Sequence, residues 1–140
     1  MKVLIAIALG SAVGGTCRHL LDLLAFRFAG DAFPISTMVI NITGSLLIGW
    51  FAGRWAADSG MTPPAERWHF WMTGICGGYT TFSTFSWQVL KMVQGGHGQA
   101  AGFYAAASVG FGLFAVWVGM SLAVARTRSG QKERETVNEE

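Results

Sequence analysis

The sequence predicts an all-α integral membrane protein, and three observations lead there. Of 140 residues, 51% are hydrophobic and 13% charged, and the mean hydropathy is +0.40, so most of the chain belongs in lipid. The apolar residues gather into four runs, each close to the ~20 residues that a bilayer core demands of a helix. Much of the charge lies beyond residue 125, which leaves the runs themselves poorer still in ionisable groups.

The first run extends from Val3 to Phe26. Its start, MKVLIAIALGSAVGG, imitates a secretory signal: one positive residue, a short apolar stretch, then small residues. Apolar character resumes after Arg18 in LLDLLAF, and three further runs follow, which favours an uncleaved first span. AGDAFP, with Gly30 and Pro34, marks a short turn into the second run, Ile35 to Ala57. DSGMTPPAER follows, where Pro63 and Pro64 exclude a continuous helix. The third run is Trp68 to Val93 and the fourth Gln99 to Ala125. Only QGGHG joins these two, short enough to make them antiparallel neighbours. The remaining RTRSGQKERETVNEE is charged without an apolar face and reads as a solvated, disordered extension. The division is therefore a transmembrane domain over residues 1–125 and a tail over 126–140, with no room for a separate soluble domain.

Four GxxxG pairs, Gly10/Gly14, Gly49/Gly53, Gly74/Gly78 and Gly98/Gly102, offer surfaces on which helix backbones can approach closely. Four short helices enclose little volume, so a water-lined path calls for more than one copy of the chain.

Several function classes fall away. A formal net charge of +2, with much of the charge, of both signs, gathered in the tail, gives no basic stripe for nucleic acid. Cys17 and Cys76 lie in apolar surroundings without CxxC spacing or histidines at ligand spacing, and read as free membrane thiols. His19, His69 and His97 fall in separate segments, and no acid–base pair or nucleophile constellation converges, so an enzyme is not expected.

Chemistry is then sought in what does not suit lipid. Asn41 sits mid-span, where an amide costs a few kcal/mol unless it is partnered or wetted. Arg18 lies deep in the first span, either snorkelling to the interface or lining an electropositive vestibule. Tyr104 and Ser108, four apart, share one face of the last span, as interhelical contacts or as part of a path. The densest cluster is GGYTTFSTF, residues 77–85. Gly74, Gly77 and Gly78 each weaken a helix by about 1 kcal/mol, which disfavours a continuous third helix. A break inside a bilayer survives only within protein or beside a lined cavity, and its freed carbonyls become cation ligands. The hydroxyls beyond it are hydrogen-bond donors suited to an anion. Phe82 and Phe85 lie on nearly one face; such a pair is either ordinary packing or, through its electropositive ring edges, an anion contact.

GGYTTFSTFSWQ in the third span, Asn41 in VINITGSLLIG in the second, and Gly14 four residues before Arg18 in the first together resemble the Fluc family of fluoride channels, also called CrcB. The resemblance runs through all four spans and leaves out only the tail; GGYTTFSTF is its specific part, while GxxxR and NxxG are weak alone. It implies a fluoride-selective channel in the bacterial inner membrane that exports the anion passively and protects the cell from fluoride. It also implies four transmembrane helices per subunit with a broken third helix, and an antiparallel, dual-topology homodimer. Two pores and a structural sodium ion at the dimer interface complete that picture. Placed on this sequence, the resemblance puts the carbonyls of Gly77 and Thr80 at the sodium. Phe82 and Phe85 then line the pore with Asn41 beside them, and Arg18 lies in the vestibule. Thr37, Ser83, Thr84, Tyr104 and Ser108 are candidates for a hydroxyl track. One turn beyond Ser108, where the family leads one to expect another hydroxyl, this chain has Gly112.

Two rival readings come from other classes. A proton-coupled small multidrug exporter needs an embedded carboxylate, and the nearest candidate, Asp22, lies one turn from Arg18 at ion-pair spacing. A structural membrane assembly subunit would explain the GxxxG pairs but not the concentrated hydroxyls. Charge gives an orientation of its own. Lys2, Arg54, Arg67, Arg126 and Arg128 fall on the side of the termini, against Arg27 and Lys91 on the other, with Arg18 deeper in. By the positive-inside rule both termini are cytoplasmic, whereas the family resemblance implies both orientations.

Overall fold

The computed structural model describes residues 1–29, 34–57 and 63–138. The turn expected at Gly30 and residues 58–62 of the next connection lie outside the described residues. Every regular element described is helical: α1 (Lys2–Ala29), α2 (Ile35–Ala57), α3 (Ala65–His69), a π-helical segment (Phe70–Cys76), α4 (Gly77–Tyr79), α5 (Phe82–Gln94) and α6 (Gly98–Asn138). Three stretches, Lys2–Arg27, Ile35–Ala57 and Gly98–Gly130, are long and apolar enough to cross a bilayer. The remaining apolar run is not one helix but the series from α3 to α5.

What is buried and what is exposed invert the pattern of a water-soluble protein. Leu4, Leu9, Phe103, Leu113 and Trp117 face outward, as lipid permits. The interior is made of Thr37, Ile40, Cys76, Thr81, Ala101, Tyr104, Ser108, Ala115 and Ala123, for the most part small or hydroxyl-bearing. In lipid, helices associate through close backbone packing and polar contacts rather than by hiding oil.

Glycines set the two principal helix contacts. On α2 and α6, a side chain at Gly49 would run into the Val116 carbonyl, one at Gly53 into Met120, and one at Gly119 into the Leu46 carbonyl. On the other side, Gly10 of α1 lies against Phe70 and Gly74, Gly14 against Ile75 and Tyr79, and Gly78 against Ser11. Gly98 and Gly102 differ: a Cβ there meets nothing within 4 Å, so this pair makes no close helix contact among the described residues.

The helix boundaries have local causes. α3 begins directly after Pro64, whose carbonyl accepts from the N–H groups of Arg67 and Trp68 at 2.9 and 3.1 Å. α5 ends at Gly95 and Gly96. Gly96 has φ +79°, a left-handed conformation that glycine adopts without penalty, and the N–H of His97 closes back on the Met92 carbonyl at 2.9 Å. The chain thus turns from α5 into α6 within a few residues, and the two helices pack together. Around the end of α2, Phe51, Trp55, Trp68 and Trp71 form an aromatic cluster with centroid separations of 4.8 to 5.6 Å. The charged tail is continuous with α6 as far as Asn138; it has no apolar face, but Gln, Lys, Glu and Arg are good helix formers. With 41 residues at 1.5 Å each, α6 is about 60 Å long, roughly twice the hydrocarbon thickness.

Candidate functional site

Helical geometry is lost at two residues, Thr80 (φ −78°, ψ 160°) and Thr81 (φ −147°, ψ 119°). The glycines from which the sequence reading locates the interruption are themselves helical: Gly77 has φ −67° and ψ −34°, and Gly74 and Gly78 serve close packing against α1. The interruption is instead built by hydroxyls and one distant amide. Thr80 finishes the preceding turn, its N–H and its Oγ1 both donating to the Cys76 carbonyl at 2.9 and 2.8 Å. Thr81 starts the next helix as its N-cap, Oγ1 accepting from the Thr84 N–H at 3.1 Å. Across 40 residues of sequence, Asn41 of α2 meets the Thr81 backbone twice: Thr81 N–H donates to Oδ1 at 2.9 Å, and Nδ2 donates to the Thr81 carbonyl at 3.0 Å.

These bonds leave their mark on two carbonyls. In a continuous helix the N–H of Thr81 would serve the carbonyl of Gly77, and that of Thr84 the carbonyl of Thr80. Here the first goes to Asn41 and the second to the Thr81 hydroxyl. Gly77 and Thr80, the pair that the family resemblance assigns to a cation, have therefore both lost their helical donors. Gly77 is exposed, and a Cβ on it would meet nothing within 4 Å.

The hydroxyls beyond the interruption form a connected group. The Thr81 hydroxyl donates to Thr84 Oγ1 at 3.0 Å and lies 3.2 Å from Ser83 Oγ. Ser83 and Thr84 are exposed. Phe82, also at the start of α5, is 79% exposed, a large ring placed on the outside of the chain beside hydroxyls. Its centroid lies 5.7 Å from that of Phe85, and Phe85 lies 5.5 Å from Tyr104 on α6.

A second polar chain crosses the interior. Tyr104 is 0% exposed and its hydroxyl donates to Gln88 Oε1 at 2.9 Å; Gln88 Nε2 donates to Thr37 Oγ1 at 2.8 Å. α2, α5 and α6 are tied together by this one carboxamide. Both its partners are hydroxyls, so either orientation of the amide satisfies them. Asn41 has no such freedom, because a backbone N–H and a backbone carbonyl dictate which end is which. Ser108, four residues along α6 from Tyr104, is buried on the same face of the helix.

Of the residues singled out in the sequence, the structure gathers Asn41, Ser83 and Thr84 around Thr81, and Thr37, Phe85 and Tyr104 around Gln88. Arg18 is half-buried on α1 and joined to neither group by a hydrogen bond. Sequence reasoning missed three residues: Thr81, which lies inside GGYTTFSTF but carries no role of its own in that reading, Gln88 and Ser45. Gln88 closes the GGYTTFSTFSWQ motif and lies three and four residues past Phe85 and Thr84, on their face of the helix; that spacing is the signal for it. Ser45 has no such signal. Its Oγ lies 3.5 Å from where a Cβ on Gly112 would be, so α2 brings a hydroxyl to the place where α6 lacks one.

Comparison with known proteins gives a consistent result. The family model described as "CrcB-like protein, Camphor Resistance (CrcB)" matches residues 5–120. A protein of Paramagnetospirillum magneticum named fluoride-specific ion channel FluC is 46% identical over 113 residues, 81% of this chain and 88% of its own length. A protein of the same name from Rhodospirillum rubrum is 44% identical over 113 residues, with the same shares of 81% and 88%. Another, from Opitutus terrae, is 41% identical over 124 residues, covering 89% of this chain and 94% of that one. With the interrupted helix, the hydroxyl group and the Phe pair all inside the matched region, the chain belongs to the CrcB-like family.

Proposed function

We propose that this chain is a fluoride-selective channel of the bacterial inner membrane, working by passive electrodiffusion. The observation that supports it most directly is the exposed Phe82 beside Ser83 and Thr84, in a chain 46% identical to a protein named a fluoride-specific ion channel. Fluoride holds its water tightly, so a pore must replace that shell with several donors at close range. Hydroxyls supply donors, and aromatic ring edges add electropositive contact. Hydrogen fluoride enters cells as a neutral acid and dissociates inside; a passive exit for the trapped anion protects the cell.

The assembly in this reading is an antiparallel homodimer of four-span subunits, the third span being the interrupted segment from α3 to α5. Its support is the face that a single chain leaves bare: Gly77, Phe82, Ser83 and Thr84 are all exposed, and hydroxyls facing lipid are unfavourable until something covers them. The carbonyls of Gly77 and Thr80 fit a cation in that their helical donors are engaged elsewhere. Two carbonyls from each of two subunits make a neutral set of four oxygens, suited to a weakly held monovalent cation, which the family resemblance makes sodium, rather than to calcium, which takes more oxygens and carboxylates. Bound there, the ion supplies charge that holds the two interruptions together.

Purified protein reconstituted in liposomes tests the reading. Fluoride efflux that needs no proton gradient is the expected result; efflux only when protons are exchanged would establish the exporter instead, and no flux of either kind would leave a structural subunit.

A further inference from the structure

We propose that Asn41 is a positioning residue, whose carboxamide holds Thr81 extended and thereby keeps the Gly77 and Thr80 carbonyls turned away from helix and available to a cation. The proposal rests on the channel reading above for its consequence, but its geometry stands by itself. In a helix, the N–H and the C=O of one residue point to opposite ends of the axis. In an extended residue they point to the same side, which lets a partner exchange two hydrogen bonds with it, as in an antiparallel strand pair. Asn41 makes this double exchange with Thr81, at 2.9 and 3.0 Å. Its amide can reach both groups only while Thr81 is extended, as its φ of −147° and ψ of 119° make it. The side chain therefore selects the interrupted conformation rather than merely tolerating it.

The energetic alternative is closure. Without Asn41, Thr81 N–H has the Gly77 carbonyl as its natural acceptor, one helical turn back, and a bilayer penalises any backbone group left unpaired. Closure consumes a carbonyl assigned to the cation. Asn41 uses one of its two Nδ2 hydrogens on Thr81; the second makes no hydrogen bond among the described residues and remains for the anion path. One side chain then serves both sites, so loss of fluoride flux on replacing Asn41 has two origins that flux alone does not separate.

The test uses the full-length protein and the variants Asn41→Ala and Asn41→Asp, with Phe85→Ile as a control that leaves the clamp intact. Asp keeps an acceptor for the Thr81 N–H and loses the donor. Two readouts accompany flux: the 13Cα shifts of Thr80 and Thr81, which report extended or helical backbone, and the sodium concentration giving half-maximal thermal protection. The expected result is that Asn41→Ala moves both shifts out of the extended range and raises the sodium half-point by about 10-fold or more, a change that two lost hydrogen bonds readily supply. Phe85→Ile should lose flux with both readouts unchanged. If Asn41→Ala fails to assemble, Asn41→Asp decides through the same shifts: a carboxylate oxygen then faces and repels the Thr81 carbonyl, the double exchange is lost, and a displacement is expected. Shifts that stay extended in the assembled variants overturn the proposal even when flux is lost, since Asn41 is then a pore donor only. A parent protein whose stability ignores sodium overturns the cation half. A parent that passes no fluoride refutes the channel reading, and the shifts still decide the clamp.

Discussion

At the scale of single residues, the polar groups divide by what they bond to. Thr81 is bound through all three of its polar groups: N–H and carbonyl to Asn41, hydroxyl to Thr84. Removing its hydroxyl in Thr81→Ala takes away the N-cap of α5 as well, and we expect a stability loss of about 1 kcal/mol, measured as a lowered thermal midpoint in detergent. Phe82 and Phe85 invite a different substitution. Ile retains apolar bulk but lacks the electropositive ring edge, so Phe82→Ile and Phe85→Ile should assemble normally and carry strongly reduced fluoride flux. Normal conduction in both variants would reduce the rings to packing. Gln88 shows why part of the site was hidden from sequence reading. A lone amide at the end of a motif has no stated partner, and its tie to Thr37 and Tyr104 depends on how three helices meet.

At the scale of elements, legibility followed apolar length. α2 spans Ile35–Ala57, the bounds that its apolar run suggests, and α1 and α6 are likewise visible as long runs. The third run was legible as irregular but not in its details. Glycine content pointed to the right neighbourhood because glycine weakens helices, yet the glycines are spent on contact with α1, where Gly74 meets Gly10 and Gly78 meets Ser11. The interruption falls at Thr80 and Thr81 because its stabilising partner, Asn41, lies 40 positions earlier, beyond any local propensity rule. Gly77→Ala exploits the distinction. Gly77 is helical with open space where its Cβ would go, so within one chain the change is harmless and alanine favours the helix. A subunit interface at this point makes the same methyl group obstructive. We expect near-normal helix content by circular dichroism together with loss of dimer on size exclusion. A variant that dimerises as well as its parent removes Gly77 from the interface.

At the scale of the whole molecule, two arguments about orientation oppose each other. The side of the termini carries Lys2, Arg54, Arg67, Arg126 and Arg128, against Arg27 and Lys91 opposite, which favours a single orientation with cytoplasmic termini. The antiparallel dimer needs equal numbers of both. A cysteine introduced at the C-terminus, in a background lacking Cys17 and Cys76, separates them. Cys17 lies on the surface of α1 and Cys76 is buried; removing both leaves the introduced thiol to report alone. We expect about half of the copies in intact cells to react with an impermeant thiol reagent, as a C2 axis lying in the membrane plane requires. Essentially none reacting, beside full labelling after permeabilisation, rules out the antiparallel arrangement.

Both the bare polar face and the freed carbonyls matter only if the molecule conducts the anion for which its hydroxyls are suited. Halide efflux from proteoliposomes, with fluoride and chloride compared in the same preparation, measures this directly. The donors around Phe82, Ser83 and Thr84 lead us to expect rapid fluoride release with chloride retained, because a narrow passage lined by small donors replaces the water shell of the smallest halide best. Equal release of both halides, or of neither, would contradict it.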